Sequence, residues 1–441
     1  MKLGLYALAV AAAIGGTIGV ASAADLGGNC CADLEERIAE LESTTVRKGN
    51  KKVSLTIYGQ VNQGVLYWDD GTESNTYVVN NKTSTTVVGL EGSAAITARL
   101  SAGYRVEFEL ADSNSDWVDQ GADLPGVGGE VGQSGRSGVF ARHSQWFIQD
   151  KQLGRVSVGL QSNATDNIAE MDLSKTSSVS LSSVETWNEG FFLRDKAGNT
   201  FAYSGLLGLA GTSGILVGDL FRGNFDGGRG NLVRYDSPLL HGFIASASWG
   251  DDNDWAVALR YAGEFSGTKI RAGLGYHSGK ILDTDNIALQ LNANGGAVPN
   301  HQEIVGSVSA LHQPTGLFVT LAGGSRDWIE TPNPSFQIRD DKYFYVKSGI
   351  LKHWLPIGDT SIYGEYYRIW DLGLEFVGVN SDQFDEAATS YGLGIVQQID
   401  AADMDVYLAY RHFTADNLTD LGGGEHDFRM DMVLGGARIK F

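Results

Sequence analysis

The chain has 441 residues and a net charge of −20, from 33 lysine and arginine residues against 53 aspartate and glutamate residues. That acidic excess argues against a nucleic-acid partner, because phosphates need cationic contacts. The 58 glycines and 10% aromatic residues are atypical of a helical soluble protein, and the sequence is too polar for a helical membrane protein. The two cysteines, Cys30 and Cys31, are too few for a disulfide scaffold, and their adjacency favours one local or inter-subunit disulfide.

The first segment predicts export. Lys2 follows the initiating methionine, an apolar run rich in small residues comes next, and Ala21-Ser22-Ala23 resembles a cleavage site. These features predict a secretory signal peptide over residues 1–23. Because later residues show no uninterrupted apolar run of helix-spanning length, we expect any membrane crossing to be made by strands.

Residues 24–52 differ from the rest of the chain and predict a short N-terminal periplasmic segment. Leu34, Ile38 and Leu41 have the four-then-three spacing of a coiled-coil seam. The helix is too short to associate on its own, so either a helix that supports an oligomer or a lone solvated helix fits the pattern. Residues 47–52 form a basic hinge into the next part.

From Val53 onward the hydrophobic period becomes two, which predicts strands with one apolar and one wetter face. Apolar Leu55, Ile57 and Val61, for example, alternate with polar neighbours. Aromatic residues tend to end the apolar faces, as an interfacial girdle requires. About sixteen such runs predict an all-β fold, a transmembrane antiparallel barrel over residues 53–441. The predicted strands are 53–67, 84–97, 100–112, 138–150, 153–161, 229–236, 241–250, 254–264, 268–278, 302–313, 315–325, 342–354, 360–370, 388–399, 404–413 and 427–441.

The connections alternate between short and long, with 251–253 as an exception on the long side. Tight turns on one rim and long loops on the other are typical of an outer-membrane barrel. The even strand number places both termini on the short-turn side. The long connections are acidic, which indicates a repulsive, soluble surface, a vestibule that enriches cations, or carboxylates bridged by divalent ions to an anionic lipid surface.

The longest connection, 162–228, is the candidate for a pore-constricting loop, because connections of this length are functional or disordered. A barrel of this size encloses an aqueous channel, and a long loop with aromatic anchors can fold into it. Charged residues at a constriction select ions. The candidate loop acids are Asp166, Glu170, Asp172, Glu185 and Glu189.

The candidate wall cations face the lumen by strand parity. Arg105 and Arg234 alternate with outward apolar residues, whereas Arg142 shares parity with Trp146 and faces the lumen only if a bulge intervenes or it lies above the membrane. Opposed to the loop acids, these cations would set a transverse field. The alternative is that each is a solvated lumen residue.

The last predicted strand alternates apolar and polar residues and ends on Phe441. On its own it fits the closing strand of a membrane barrel or the last strand of a soluble antiparallel sheet.

Several motifs together resemble the outer-membrane general porins, most closely those of alphaproteobacteria (Hyphomicrobiales-type). They are the signal peptide, the stretch from Cys30-Cys31-Ala32-Asp33-Leu34 to Lys51-Lys52-Val53-Ser54-Leu55, the run Val233-Arg234-Tyr235-Asp236-Ser237-Pro238 followed by Gly242-Phe243, and the terminal Ala437-Arg438-Ile439-Lys440-Phe441. Two features depart from the family: the proline-glutamate-phenylalanine-glycine run of its third loop is missing, and Thr86, Val87 and Val88 stand where wall arginines are expected.

The resemblance implies a homotrimeric, water-filled channel of the bacterial outer membrane for passive diffusion of small hydrophilic solutes and ions. The acidic loops favour a mild preference for cations. The implied partners are outer-membrane lipid, lipopolysaccharide and the barrel assembly machinery, which reads the terminal strand ending in Phe441. No cofactor and no metal are expected.

Three other functions remain as alternatives. A substrate-specific sugar channel would need an aromatic path along the lumen, for which Tyr58, Tyr366, Trp370 and Tyr407 are the candidates. A structural or adhesive surface barrel would need a plugged lumen. An enzyme would need a paired nucleophile and base; His143 and Ser144 are adjacent in a predicted strand and therefore point oppositely, so no enzyme activity is expected.

Overall fold

The computed structural model describes residues 53–120, 138–194, 198, 216–221, 223–251, 254–280, 300–329, 336–338, 340–370, 374–376, 387–419 and 425–441. The predictions for the signal peptide, Cys30, Cys31 and the segment 24–52 lie outside these residues. No helix in the described part of the chain is long and apolar enough to cross a membrane.

The described residues form nineteen strands. They are β1 (Thr56–Asp69), β2 (Ser74–Asn80), β3 (Val87–Ala95), β4 (Leu100–Ala111), β5 (Gly138–Asp150), β6 (Gly154–Ser162), β7 (Arg229–Asp236), β8 (Phe243–Gly250), β9 (Trp255–Phe265), β10 (Thr268–Lys280), β11 (Asn300–His312), β12 (Leu317–Trp328), β13 (Phe336–Ile338), β14 (Asp341–Leu355), β15 (Gly358–Trp370), β16 (Leu374–Phe376), β17 (Ala387–Ile399), β18 (Met404–Thr419) and β19 (Glu425–Lys440). Short helical segments lie at Lys82–Ser84, Val184–Trp187, Val217–Leu220 and Asp400–Ala402.

Seventeen of these strands form one closed antiparallel sheet. β2 and β3 both pair with β1, β2 along its second half and β3 along its first half, so together they occupy a single position. β19 pairs with β1 and closes the barrel. The prediction of a sixteen-stranded antiparallel barrel is confirmed.

Turn lengths differ between the two rims, as predicted. One rim carries tight turns such as Ser266-Gly267, whose φ angles of 49° and 76° match the left-handed turns that suit a twisted hairpin. The other rim carries the long connections, among them 112–137, 163–228 and 281–299. The short exception falls at 251–254.

The strands differ from the sequence prediction in three parts of the chain. β2 lies within the predicted loop 68–83, and its seven residues are too few to show a clear period. β18 and β19 extend beyond their predicted ends, because pairing resumes after an irregularity between Ala415 and Leu418. β13 and β16 form a separate two-stranded ribbon inside predicted loops, and three residues carry no readable period.

Side chains alternate between the two faces of the barrel wall. On β11, Ser307 and Ser309 point inward and are buried, while Ile304 and Val308 point outward and are 54% and 38% exposed. An outward apolar band exposed on a closed barrel is the surface that meets lipid. The lumen therefore carries the polar face, and long loops from one rim can reach it.

Candidate functional site

The described residues of the connection between β6 and β7, 163–194, 216–221 and 223–228, fold against the inner wall and are called the lumen loop below. Two wall arginines hold its start. Arg234 Nη1 donates to the carbonyl of Asn163 at 2.8 Å, and Arg260 Nη2 donates to the carbonyls of Ala164 and Asp166 at 2.7 and 2.9 Å. Charge-assisted bonds to backbone carbonyls fix the chain direction where the loop leaves β6.

The first part of the lumen loop follows β10 and β11 closely because the wall carries small residues there. A Cβ at Gly275 would lie 2.6 Å from Cγ2 of Thr165, so only glycine allows this approach. Ser307 and Ser309 accept the backbone N–H groups of Met171 and Leu173 at 3.2 and 3.1 Å. The wall thus replaces hydrogen bonds that an irregular buried segment would lose.

A buried lysine on β14 holds the middle of the lumen loop. Lys347 Nζ lies 3.0 Å from Oδ2 of Asp172 and donates to Oγ1 of Thr176 and the carbonyl of Ser180 at 2.8 and 3.0 Å. Burial raises the pKa of Asp172, but the Lys347 charge and hydrogen bonds from Ser174 outweigh it, so this pKa lies below its usual value. Ser180 Oγ also donates to Oε2 of Glu365 at 2.6 Å.

The loop continues to the far side of the barrel. Asn62 on β1 donates from Nδ2 to the carbonyl of Ser178 at 3.1 Å. Arg411 on β18 donates to the carbonyl of Val184 at 3.1 Å, and its guanidinium lies 4.3 Å from the ring centre of Trp187. Contacts to β1, β10, β11, β14 and β18 place the lumen loop inside the barrel.

An aromatic cluster fixes the end of the lumen loop to the wall. Phe191 meets Trp68 with ring centres 5.3 Å apart, and Phe225 meets Tyr343 at 5.0 Å, both edge to face. Edge-to-face aromatic pairs add to the free energy of area burial. The buried cluster also contains Trp187, Phe221, Tyr345, Tyr367, Phe413, Phe428 and Met430.

The opposite wall, on β4 and β5, carries paired charges. Arg142 donates to Oε1 of Glu107 at 3.1 Å and to Oε2 of Glu109 at 2.7 Å. Arg105 pairs with Oε2 of Glu107 and donates to the Tyr58 hydroxyl at 2.7 Å. The β4–β5 register shifts between Glu107 and Phe108, and this bulge turns Arg142 inward.

The predicted loop acids have different surroundings. Asp166 lies 3.7 Å from Nη2 of Arg229, and Glu170 accepts hydrogen bonds from Ser183 and Asn224 at 3.2 and 3.3 Å. Burial and the nearby charge of Asp166 raise the pKa of Glu170. The exposed fractions of Glu185 and Glu189 are intermediate.

Loop acids and wall cations pair only in part as the sequence suggested. In the described contacts Arg105 and Arg142 meet acids of their own wall, and Arg234 pairs with Asp236 at 2.8 Å. The cation that meets a predicted loop acid most directly is Lys347, which sequence reasoning missed. Its inward direction follows from strand parity, but the weak alternation of 342–354 left that register open.

Two of the four candidates for an aromatic path point away from the lumen. Tyr366 and Trp370 alternate with the buried Tyr367 and Ile369, so they point away from the lumen. Tyr407 does point inward but is 3% exposed.

The terminal residue takes part in closing the barrel. The backbone N–H of Phe441 donates to the carbonyl of Gly59 at 3.1 Å, and the N–H of Gly59 donates back at 2.9 Å. The ring remains 61% exposed.

Comparison with known families gives one match that spans most of the chain. Residues 7–418 match the family model for Gram-negative porins. No curated protein sequence matches the chain significantly.

Solved structures share the fold at low sequence identity. The anion-selective porin from Comamonas acidovorans has a TM-score of 0.53 and 15% identity, with 88% of this chain and 100% of that chain covered. OmpT of Vibrio cholerae, folded in vitro, has a TM-score of 0.52 and 13% identity over 89% and 99%. The outer-membrane channel DcaP of Acinetobacter baumannii has a TM-score of 0.51 and 11% identity over 90% and 99%.

A closed antiparallel barrel with an apolar outer band and a polar, loop-lined interior is the architecture of an outer-membrane channel. The family match covers far more than half of the chain. The chain therefore belongs to the Gram-negative porin family and forms an outer-membrane channel for passive diffusion of small hydrophilic solutes and ions.

Proposed function

We propose that the lumen loop narrows the channel and that solutes pass between it and the wall formed by β4 to β7. Solvent contact of the inward side chains supports this path. The side chains of Arg105, Arg142 and Arg234 are 17%, 18% and 17% exposed, whereas those of Lys347 and Arg411, beneath the loop, are 1% and 0% exposed. Water reaches the first wall and is excluded from the second.

Accessibility to a thiol reagent tests this path. Cysteine at Arg142 should react with a charged, membrane-impermeant methanethiosulfonate and lower the conductance of the open channel. Cysteine at Ser309, which is fully buried beneath Leu173, should stay unreacted in the folded protein. Equal reactivity at the two positions, with both variants folded, would contradict the proposed path.

The proposed selectivity is a mild preference for cations. The net charge of −20 and the acidic long connections supply a negative potential at the mouth, which raises the local concentration of cations. At the narrow part each of the wall arginines Arg105, Arg142 and Arg234 has an acidic partner. The charge at the mouth of the channel therefore determines whether cations or anions are preferred. In a KCl gradient the reversal potential is expected to shift toward the potassium equilibrium potential. A shift toward the chloride equilibrium potential would refute the preference.

A substrate-specific channel is the second candidate. Its support is Tyr58, which lies on the solvent-reached side and contacts Arg105 and Glu107. The outward Tyr366 and Trp370 leave that tyrosine without the row of aromatics that a sugar path needs. Saturable block of ion current by a sugar, lost in Tyr58→Ala, would favour this alternative.

We also propose the assembly and cellular context that the sequence implies. Residues 1–23 are removed as a signal peptide, residues 24–52 remain in the periplasm, and the chain assembles as a homotrimer through the barrel assembly machinery. OmpT of Vibrio cholerae, which shares this fold, has been solved in a trimer form, and this supports the proposed trimer. The outer rim contacts lipopolysaccharide, and the chain belongs to the alphaproteobacterial branch.

The channel carries out no catalysis in this proposal. His143 is 2% exposed and faces the lumen, while its neighbour Ser144 points outward, so the pair cannot exchange a proton.

Cross-linking in native membranes tests the oligomer: bands at one, two and three chain masses support the trimer, and a single monomer band contradicts it.

A further inference from the structure

Beside the loop-side end of β10, β11 and β12, two histidines and a glutamate converge inside the barrel. His277 lies directly across from Glu303, and His301 lies across from Gly279. Glu303 also lies across from Arg326 on β12. His277, His301 and Glu303 are 6%, 2% and 4% exposed. The barrel register, and not the loop sequence, brings these side chains together.

Their ligand atoms are close enough for one ion. One nitrogen or oxygen from each of the three residues lies within 4.8 Å of the others, and in the part of the chain that the structure describes no other such group occurs. Nδ1 of His277 is 3.2 Å from Oε2 of Glu303, and Nε2 of His301 is 3.4 Å from Oε1. Ligands at about 2.0–2.2 Å from a tetrahedral ion are roughly 3.3 Å from each other, so small side-chain shifts suffice.

The carboxylate of Asp254 supports the histidine from behind. Its Oδ2 lies 2.9 Å from Nε2 of His277. Gly279 makes room for this contact, because a Cβ there would lie 2.3 Å from the same oxygen. A carboxylate on the far nitrogen of a ligating histidine fixes its tautomer and orientation, as in metal sites with supporting hydrogen bonds.

One neighbour opposes metal binding. Arg326 Nε donates to Oε1 of Glu303 at 2.6 Å, which places a positive charge next to the cluster. Its ring contact with Phe225, 4.4 Å to the ring centre, holds it there. Oε2 of Glu303 remains directed at His277, so the carboxylate can serve both groups. The charge of Arg326 weakens the site without blocking it.

We propose that His277, His301 and Glu303 form a binding site for a divalent transition-metal ion inside the channel mouth. Two imidazoles and one carboxylate suit Zn²⁺, with water as a fourth ligand. His277 has carboxylates at both ring nitrogens, so metal binding at Nδ1 displaces any proton on that nitrogen to solvent, while the Nε2–H of His277 donates to Asp254. The bound ion adds positive charge to the lumen wall and lowers cation conductance.

Zinc titration of the folded, full-length protein in detergent tests the proposal. Calorimetry with ZnCl₂ should give one site per chain. His301→Ala and His277→Ala should each weaken binding at least about tenfold, and Gly279→Ala about tenfold, in line with supporting groups in metal sites. His353→Ala is the matched control, since that exposed histidine pairs with Asp359 outside the cluster, and it should leave the affinity unchanged.

Two further measurements keep the proposal falsifiable if a histidine variant does not fold. Arg326→Gln should bind Zn²⁺ about tenfold more tightly, because it removes the adjacent positive charge. Co²⁺ should give the visible absorption bands of a tetrahedral site, lost in His301→Ala. No zinc uptake by the folded wild-type protein, or uptake that His301→Ala and Arg326→Gln leave unchanged, would overturn the proposal.

Discussion

Replacing Lys347 with alanine should release the middle of the lumen loop and widen the channel. The Lys347 side chain is 1% exposed, and its ammonium group contacts Asp172, Thr176 and Ser180 of the loop. Its loss leaves Asp172, 7% exposed, as a buried charge without its cation. Removing one partner of a buried ion pair costs about 3–5 kcal/mol of folding free energy.

Lys347→Ala should affect the lumen loop more than the stability of the whole barrel. Most of this cost falls on the loop, because β14 keeps its pairing with β12 and β15 while Asp172 can regain water by moving into the lumen. We therefore expect a higher single-channel conductance with more current noise, and a smaller loss of thermal stability than the full cost. Planar-bilayer recording and thermal unfolding in detergent measure the two quantities.

Two variants complete the test. Lys352→Ala on the same strand removes a partly exposed lysine whose ammonium group donates to the carbonyl of Pro314, away from the lumen loop, and it should leave conductance unchanged. Asp172→Ala combined with Lys347→Ala should cost less stability than the two single changes added together, because the buried charges disappear together. If Lys347→Ala lowers stability but conductance and noise stay at wild-type values, the lumen loop does not narrow the channel.

Three further predictions concern charge and closure. Arg142→Ala leaves the carboxylates of Glu107 and Glu109 on the wall without this cation, so the reversal potential in a KCl gradient should move toward the potassium potential; an unchanged value would remove these residues from the ion path. Burial and nearby acids raise the pKa of Asp226 well above its usual value, so the folded state loses stability as pH rises between the unfolded and folded pKa values. Asp226→Asn should flatten that part of the profile of unfolding temperature against pH, and an unaltered slope would contradict the cause given. Deleting Phe441 removes two backbone hydrogen bonds at the β1–β19 seam and should lower the yield of folded barrel, measured by heat-dependent gel mobility, with normal yield as the contrary result.

The barrel could be predicted because the alternation of apolar and polar residues within a strand is visible in the local sequence. Each long run that alternates with period two crosses the membrane. In a tight turn such as Ser266-Gly267, the small residues suit the positive φ angles that the turn requires. β2 was missed since its pairing with β1 starts after a four-residue turn inside an apparent loop. Short strands gain their stability from partners that the local sequence does not reveal.

The site was predicted less well because it depends on which distant residues meet. Nothing in the local pattern reveals that Lys347 reaches Asp172, 175 positions away. The orientation of Arg142 depends on a bulge that breaks parity. Tyr366 and Trp370 were candidates for an aromatic path, but the burial pattern of β15 shows that they point outward. The alternation along a strand tells which face a side chain lies on. Which charged residues pair is known only once the barrel has closed and brought distant strands together.

The most direct test of the central claim is the current through the purified protein in a planar bilayer under a KCl gradient. The diffusion-channel account predicts stepwise, ohmic conductance with a reversal potential shifted toward potassium. A stably inserted protein that carries no current would contradict it and would favour a structural barrel whose lumen loop closes the lumen.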